Sequence, residues 1–246
     1  MELIYRKQFS LTDLHVDCFL RLKKSVLLYF AQEVAADHAA QLGTGWETLN
    51  EKHLFWAVIR HKVQITRLPV SGETITVETW PLPATRVAYP RATIAYDAQG
   101  KELFRTMALW VLMDTKTRAM VLPGKSGVDV PGIVRNLEAD TPGSIAPKSL
   151  DHTTVHTVGY AMLDRNGHMN NTRYLDWLDD LLPAEFHKNN PAKEFTVCYL
   201  SEAKEGQRIT VDWQLSEAGL LSVETHRQKD ENTDSRERVF AAYVQF

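Results

Sequence analysis

The stretch LDRNGHMNNTRYLDW, residues 163–177, places three side chains capable of polar chemistry at alternating positions in one short segment. They are Asp164, Asn166 and His168. A carboxylate can act as a base or nucleophile, an amide can orient a water or a carbonyl, and an imidazole can move a proton near neutral pH. The apolar residues that follow recur at helical spacing, and N–H groups at a helix start can hold a developing oxyanion. These residue types make this segment, the candidate loop, a candidate for half of an active site.

The candidate loop also permits a purely structural interpretation. Asp164 and Asn166 are ordinary turn residues, and Asn170 or Asn171 would cap a helix that begins at Thr172. A metal site is disfavoured, because asparagine is a poor ligand for soft metals and no second histidine or cysteine lies at ligand spacing. The residues of this loop alone leave the structural and the catalytic interpretations open.

Composition is that of an ordinary soluble globular protein. The chain has 246 residues, 44% hydrophobic and 24% charged. No apolar run approaches the roughly 20 residues of a membrane span. The first residues resemble neither a signal nor a transit peptide, so we expect a cytoplasmic protein. The net charge of −3 gives no general attraction to nucleic acid or anionic membrane, and we expect neither as a partner.

Charge is divided unevenly between the two halves. Residues 1–150 hold 18 Lys and Arg against 15 Asp and Glu, whereas residues 151–246 hold 10 against 16. An acidic partner would more naturally meet the first half. The two cysteines, Cys18 and Cys198, form no disulfide framework or zinc motif, and both are expected to be buried.

One segment separates the chain into two domains. Residues 123–148 contain four of the ten prolines and four of the twelve glycines, a density typical of irregular structure. We predict an N-terminal domain over 1–125, a linker over 126–149 and a C-terminal domain over 150–246.

Both predicted domains have the same order of elements. Each contains one helix, within 21–43 in the first domain and within 171–182 in the second, near the start of several antiparallel strands. In the second domain the polar turn KDENTDS, residues 229–235, separates the last two strands. A helix covered by an antiparallel sheet suits both halves, and an internal duplication explains the shared order. The strand LFWAVIRHKVQITRL, residues 54–68, alternates two faces along its length.

The spacing Asp13-x-His15-x-Asp17 in the first half faintly echoes that of the candidate loop. Independent polar turns before two helices explain this echo equally well.

A resemblance to a known family makes the interpretation specific. The candidate loop resembles the active-site motif of the acyl-ACP thioesterases, Asp-x-Asn-x-His-Val-Asn-Asn followed by a helix with aromatic residues. The matching residues are Asp164, Asn166, His168, Asn170, Asn171, Tyr174 and Trp177, with Met169 in place of the valine. FWAVIRHKVQITRLPVSGETITVETWP and TMALWVLMDTKTRAMVLP also resemble the N-terminal strands of that family. The resemblance implies an α+β fold, a tandem double hotdog in which each domain is a long helix wrapped by an antiparallel β-sheet.

The resemblance further implies the reaction and its residues. Acyl-ACP thioesterases hydrolyse the thioester of acyl-ACP and release free fatty acid and ACP, which ends chain growth in fatty acid biosynthesis. The implied catalytic residues are Asp164, Asn166, His168 and Glu202, which lies in YLSEAKEG. Glu205 is the fallback for this glutamate, and Ala203 stands where plant members commonly have a cysteine, so a cysteine nucleophile is excluded. No metal is implied, and no cofactor beyond the phosphopantetheine arm of the substrate.

Binding residues are implied with less detail. The fatty acyl chain is expected in the N-terminal domain, between its helix and its sheet. The candidate wall residues are Leu27, Phe30, Val34, Trp56, Val58 and Trp110. Acyl carrier protein is acidic, and the candidate contacts for it are Arg173, Lys204 and Arg208. A tandem hotdog already contains two domains, so a monomer and a homodimer both remain open.

Three alternatives remain. A hotdog acyl-CoA thioesterase would use the same residues with another carrier. A non-catalytic acyl-binding or regulatory hotdog would need neither Asp164 nor Glu202 and would usually add a basic DNA-binding segment, which the sequence does not contain. A hotdog dehydratase would lack the Asn-x-His-x-Asn-Asn run that begins at Asn166.

Overall fold

A computed structural model describes residues 2–228 and 235–246. The chain divides into two compact units, Met1–Pro142 and Gly143–Phe246. The division falls inside the segment predicted as a linker. Residues 229–234 of the predicted turn KDENTDS lie outside the described residues. Among the described helices, none combines the length and the apolar character needed to cross a membrane.

The first unit is an antiparallel sheet with one long helix. Its strands are β1 (Tyr5–Ser10), β2 (Leu54–Ile65), β3 (Thr74–Pro81), β4 (Tyr89–Tyr96), β5 (Glu102–Asp114) and β6 (Met120–Val121). Its helices are α1 (Lys24–Gln41), α2 (Trp46–Glu51) and α3 (Pro123–Ser126). The strands pair in the order β1-β3-β4-β5-β2, and β6 pairs with β5.

Helix α1 packs against this sheet through both apolar and charged contacts. Phe30 stacks on Phe9 of β1 with ring centroids 4.1 Å apart. Lys7 Nζ lies 2.7 Å from carboxylate oxygens of both Glu33 and Asp37. The helix is therefore fixed to β1 along its length.

The segment after α3 has little regular structure but packs on the first unit. Val128 is buried in an apolar cluster with Tyr89. The Ile133 N–H donates to the Pro81 carbonyl at 2.9 Å. A Cβ at Gly132 would lie 2.1 Å from the backbone carbon of Leu82, so this close approach requires glycine.

The second unit repeats the arrangement with shorter helices. Its strands are β7 (His152–Thr157), β8 (Glu194–Tyr199), β9 (Arg208–Leu215), β10 (Leu220–Gln228) and β11 (Arg236–Gln245), and its helices are α4 (Arg173–Asp180) and α5 (Ala184–Asn189). These strands pair in the order β8-β11-β10-β9-β7. Tyr174 of α4 stacks on Phe240 of β11 at 4.6 Å, and Trp177 stacks on His156 of β7 at 4.8 Å. The predicted helix and antiparallel strands of each half are confirmed.

Two details differ from the sequence predictions. The regular alternation predicted for residues 54–68 is wrong at Ile59. There Val58 pairs with Trp110 and Arg60 with Leu109, which leaves Ile59 as a bulge that shifts the faces of the strand.

The cysteines also differ from each other. Cys198 is buried as predicted, but the prediction that Cys18 is buried is wrong, because it lies exposed in the loop before α1. Its neighbours in that loop satisfy the backbone through polar contacts rather than through an apolar cluster.

Candidate active site

The candidate loop is a tight hairpin organised by Asp164. The Asp164 N–H donates to the His168 carbonyl at 2.7 Å, and the Gly167 N–H donates to the Asp164 carbonyl at 3.0 Å. Gly167 has a φ of 75°, where glycine is favoured. Oδ1 of Asp164 accepts the N–H groups of Asn166 at 2.8 Å and of His168 at 3.2 Å. The carboxylate therefore shapes the backbone that presents the other two side chains.

His168 contacts Glu202, the glutamate implied by the resemblance. His168 Nε2 lies 3.2 Å from Oε2 of Glu202, and their side chains are 15% and 40% exposed. The Met169 N–H donates to the Ala203 carbonyl at 2.8 Å, which holds the two chain segments together. Half-exposed Glu202, rather than exposed Glu205, thus pairs with the imidazole.

All four predicted catalytic residues lie in this one place. Nδ2 of Asn166 is 3.4 Å from Oδ2 of Asp164, whose other oxygen binds the His168 backbone. The cluster thus joins an amide, an imidazole and two carboxylates at a partly exposed surface of the second unit. In the described part of the chain, no group of three or more His, Cys, Asp or Glu side chains could hold a metal ion.

Arg227 of β10 is a residue of this site that sequence reasoning missed. Its Nη1 donates to the Glu202 carbonyl, and its Nη2 donates to Ser201 Oγ at 2.8 Å. Nη2 also lies 2.8 Å from the Glu237 carboxylate. The guanidinium therefore fixes the backbone on which Glu202 stands. Nothing in the local pattern of β10 marks this arginine, because its partners are distant in sequence.

The two asparagines after His168 stabilise the start of α4. Asn170 Oδ1 accepts from both the N–H and the hydroxyl of Thr172 at 2.9 Å. Thr172 is the residue before the helix, so the helix begins one position later than predicted. The Tyr199 hydroxyl donates to the Asn171 carbonyl at 3.0 Å, and burial raises the pKa of Tyr199, which keeps this donor protonated.

A second hairpin of the same form precedes α1 in the first unit. The Asp17 N–H donates to the Arg21 carbonyl at 2.8 Å, and the Leu20 N–H donates to the Asp17 carbonyl at 3.0 Å. Oδ1 of Asp17 accepts the N–H groups of Phe19 at 2.8 Å and of Arg21 at 2.9 Å. Leu20 has a φ of 64°, as Gly167 has its positive φ. The predicted echo was therefore in the wrong register, because Asp17 itself corresponds to Asp164.

The segments that face the two hairpins also correspond. His168 forms an isolated antiparallel bridge with Lys204, and Arg21 forms one with Val70. The backbone N–H groups of Lys204 and Val70 both donate to a side chain three residues ahead, at 2.8 and 2.9 Å. Glu202 lies two positions before Lys204, so its counterpart is Leu68, two positions before Val70.

The counterpart hairpin keeps the aspartate and none of the other polar groups. The first unit has Phe19 at the place of the asparagine, Arg21 at the place of the histidine and Leu68 at the place of the glutamate. Arg21 instead forms an ion pair with Asp17 at 3.1 Å. The aspartate is thus common to two backbone hairpins, whereas the other three side chains belong to one.

A cavity of about 100 Å³ lies in the first unit between α1 and its sheet. Of the predicted wall residues, Trp56 and Trp110 line this cavity. The other four are buried elsewhere in the core of the unit and are Leu27, Phe30, Val34 and Val58.

The predicted carrier contacts lie on the surface of the second unit. Lys204 and Arg208 are exposed on either side of a turn that follows the glutamate. Arg173 at the start of α4 is exposed and forms an ion pair with Asp176 at 3.2 Å. Two of the three cations thus lie within a few residues of Glu202.

Two family models together match most of this chain. The acyl-ACP thioesterase N-terminal domain matches residues 2–122, and the acyl-ACP thioesterase C-terminal domain matches residues 146–240. The chain belongs to the acyl-ACP thioesterase family. The recognition made from the candidate loop is thereby confirmed.

Relatives of known name agree with membership in the acyl-ACP thioesterase family. The chain is 26% identical over 238 residues to a chloroplastic dodecanoyl-[acyl-carrier-protein] hydrolase from Cinnamomum camphora, which covers 89% of this chain and 62% of that protein. It is 25% identical over 218 residues to a chloroplastic palmitoyl-acyl carrier protein thioesterase from Arabidopsis thaliana, with 81% and 52% covered. The chain thus spans about half to three fifths of the length of these curated relatives.

Solved structures extend the likeness over the whole chain. A crystal structure of an acyl-ACP thioesterase from Bacteroides thetaiotaomicron has a TM-score of 0.88 and 27% identity, and covers 99% of this chain and 97% of that one. The 12:0-ACP thioesterase from Umbellularia californica has a TM-score of 0.82 at 21% identity, with 100% and 97% covered, and shares the fold. The predicted fold class, a tandem double hotdog, is confirmed.

Proposed function

We propose that this protein hydrolyses the thioester of acyl-ACP and releases a free fatty acid and the carrier. The observation that carries the proposal is the His168–Glu202 pair at 3.2 Å. The pair occurs in a chain of the acyl-ACP thioesterase family. Two hairpins of this chain match in their backbone hydrogen bonds, and His168 lies on the hairpin before α4. A binding module would need the fold of the hairpin but not this pair.

Glu202 is the base in the proposed reaction. His168 contacts the Oε2 oxygen of the Glu202 carboxylate, and 40% of the Glu202 side chain is exposed, so water can reach this carboxylate. Glu202 takes a proton from that water as the water oxygen forms a bond to the thioester carbonyl carbon. Arg227 keeps the carboxylate in place through the Glu202 carbonyl. A positioned base contributes about 10²–10⁴ to the rate.

Asn166 is the proposed donor to the tetrahedral oxyanion. Its side chain is exposed and only weakly held by Asp164 at 3.4 Å, so the amide N–H can turn to a substrate oxygen. Loss of one such donor typically costs about 10²–10³ in rate. Asp164 is a positioning residue, because its carboxylate is already engaged by two backbone N–H groups of the loop.

The second step breaks the carbon–sulfur bond. The oxyanion collapses, the phosphopantetheine thiolate leaves, and the proton on Glu202 passes to the sulfur through or beside His168. This returns Glu202 to its carboxylate form, and the fatty acid product ionises in water. Release of the acid ends chain growth on that carrier, which is the termination step of fatty acid biosynthesis.

Two surfaces serve the substrate in this proposal. Lys204 and Arg208, exposed beside Glu202, meet the acidic carrier and bring its arm to the site. The acyl chain binds in the first unit, where Trp56 and Trp110 line the cavity under α1. No bound metal or organic cofactor takes part in the steps.

The experiment is a hydrolysis assay on acyl-ACPs from C4 to C18 and on the matching acyl-CoAs. We expect the wild type to release fatty acid from acyl-ACP, and Glu202→Gln and His168→Gln to lose at least about a hundredfold in kcat. Glu205→Gln is the matched control, because this exposed glutamate lies three residues further on. Hydrolysis of acyl-CoA alone, or full activity in Glu202→Gln, would contradict the proposal.

A further inference from the structure

Arg91 of β4 is a buried cation in the wall of the cavity under α1. It is 8% exposed, and burial lowers its pKa to about 10, so it remains charged at neutral pH. Within the described ranges, no carboxylate lies within ion-pair distance of its guanidinium. Buried charges are normally paired, because an unpaired one loses its hydration without compensation.

The contacts of Arg91 are neutral and use only part of the guanidinium. Nη1 lies 3.1 Å from His38 Nδ1 and donates to Thr79 Oγ1 at 3.3 Å. His38 Nε2 is 3.1 Å from the Glu2 carbonyl, so this histidine donates there and accepts from Arg91. Burial and the nearby arginine both lower the pKa of His38, which keeps it neutral. Nε and Nη2 of Arg91 form no hydrogen bond with any described residue.

Two more donors in the same wall have no acceptor. Trp110 Nε1 and Gln32 Nε2 are buried atoms that find no hydrogen-bond partner in the part of the chain that the structure describes. Both residues line the cavity together with Arg91. An indole nitrogen can only donate, and a guanidinium can only donate. Three side chains from α1, β4 and β5 thus bring unused N–H donors to one small space.

The rest of the wall is mostly apolar and limits the size of the ligand that fits. Ala35 and Ala39 of α1 line the cavity beside Trp56. An apolar cavity on the order of 150 Å³ accommodates benzene, so this cavity of about 100 Å³ takes a smaller fragment. Hydrocarbon fits the alanines, and an oxygen acceptor on that hydrocarbon would satisfy the three donors.

From this juxtaposition we propose that the cavity selects an acyl chain that carries an oxygen acceptor, namely a hydroxyl, oxo or carboxylate group, on the short portion that enters it. The inference rests on the proposed function and specifies its substrate class. A site with unused donors discriminates strongly against an analogue that lacks the acceptor, because the donors then stay buried and unpaired.

The test compares acyl-ACPs of one length in one assay. Hexanoyl-ACP is set against its 3-hydroxy, 5-oxo, 6-hydroxy and 6-carboxy forms, and the ratio of kcat/KM values is taken within each variant. We expect at least one oxygenated form to exceed hexanoyl-ACP by about tenfold or more. A preference for the 6-carboxy form that is lost in Arg91→Met identifies a carboxylate. A preference for a neutral form that is lost in Trp110→Phe or Gln32→Leu identifies a hydroxyl or oxo group.

Trp213→Phe is the matched control. Trp213 of β9 also has a buried indole nitrogen without an acceptor among the described residues, but it lies in the second unit. Its loss should leave every ratio unchanged. Equal rates for hexanoyl-ACP and all oxygenated forms, or a preference that the three cavity variants leave intact, would overturn the inference while the proposed hydrolysis stands.

A binding measurement decides the inference even if no acyl-ACP is hydrolysed. Calorimetry compares butyrate, 1-butanol and 1-chlorobutane, which have similar size and differ in the acceptor. We expect butyrate or 1-butanol to bind about tenfold more tightly than 1-chlorobutane, and the difference to vanish in Trp110→Phe or Arg91→Met. Equal binding of the three probes would overturn the assignment of the cavity.

Discussion

Substitution of Asp164 separates a positioning role from a direct chemical role. Its carboxylate Oδ1 accepts two backbone N–H groups, from Asn166 at 2.8 Å and from His168 at 3.2 Å. Asparagine has an oxygen at the same place and can accept both bonds, but it can neither take a proton from water nor attack a thioester. Alanine can do none of these things.

The expected magnitudes follow from those two bonds. At about 1 kcal/mol net for each bond in a half-exposed loop, Asp164→Ala loses about 2 kcal/mol of loop order. Since about 1.4 kcal/mol is a factor of ten, the ratio of formed to unformed loop falls about 30-fold, and kcat/KM falls by at most that factor. Asp164→Asn should stay within about threefold of the wild type, because both acceptors remain.

The counterpart hairpin provides an internal control. Asp17→Ala removes the same two backbone bonds, from Phe19 at 2.8 Å and Arg21 at 2.9 Å. It should lower stability by a similar amount and leave kcat per folded molecule close to that of the wild type. Steady-state kinetics on one acyl-ACP and urea unfolding of the four proteins measure both quantities.

One result would refute the assignment of Asp164 as a positioning residue. If Asp164→Asn loses as much activity as Asp164→Ala, and both lose a thousandfold or more at unchanged stability, the carboxylate itself takes part in the chemistry. A loss of kcat in Asp17→Ala as large as that in Asp164→Ala would show that the kinetic effect is only general instability.

Three other predictions concern stability, packing and the carrier. Burial lowers the pKa of His61 to about 3 from 6.5, so between these pH values the unfolded chain binds a proton that the folded chain does not. The free energy of unfolding therefore falls as the pH falls, by up to about 1.4 kcal/mol per pH unit. His61→Gln should flatten this slope in urea titrations from pH 4 to 7, and an unchanged slope would mean that other groups cause it. Gly132→Ala places a Cβ 2.1 Å from the backbone carbon of Leu82 and should lower the stability by about 1–3 kcal/mol, measured by thermal unfolding. Gly143→Ala is the control, because its Cβ would meet nothing within 4 Å and should change the stability little. Equal effects of the two substitutions would mean that the segment around Gly132 can move away from Leu82. Lys204→Glu with Arg208→Glu should raise KM for acyl-ACP about tenfold at low salt with kcat retained, and a KM that does not depend on salt or charge would place the carrier elsewhere.

The sequence was a reliable guide where a pattern is local and repeated. Several antiparallel strands were predicted in each half, and the structure contains them, as at Glu102–Asp114 and Leu220–Gln228. The long helix α1 has an apolar face over several turns, which few other structures can produce. The candidate loop was found because three polar residue types, Asp, Asn and His, stand at fixed spacing that resembles one family motif.

The features that escaped prediction depend on contacts between distant residues. The bulge at Ile59 arises from pairing with β5, and no residue within β2 signals it. Short helices such as α2 and α5, six residues each, are too brief for a periodic pattern. Arg91 looks like any strand-end arginine in the sequence, and only packing under α1 shows it to be buried with no counter-ion among the described residues.

The register of the duplicated hairpin was missed for a related reason. Sequence comparison aligned polar residue types, and so matched Asp13 and His15 to the wrong positions. The structure aligns hydrogen bonds instead, and these make Asp17 the partner of Asp164. When two copies have diverged in chemistry, the backbone retains a correspondence that side-chain identity has lost.

The hairpin before α1 has the same backbone form as the candidate loop and can therefore serve as a scaffold for protein engineering. It already has the aspartate, the positive φ and the facing strand end, so no new main chain needs to be designed. Phe19→Asn, Arg21→His and Leu68→Glu would install an amide, an imidazole and a carboxylate at the corresponding places. Hydrolysis assays of this variant would test whether three side chains on such a loop are sufficient for hydrolysis. Failure would indicate that a counterpart of Arg227, which fixes the backbone of Glu202, is also necessary.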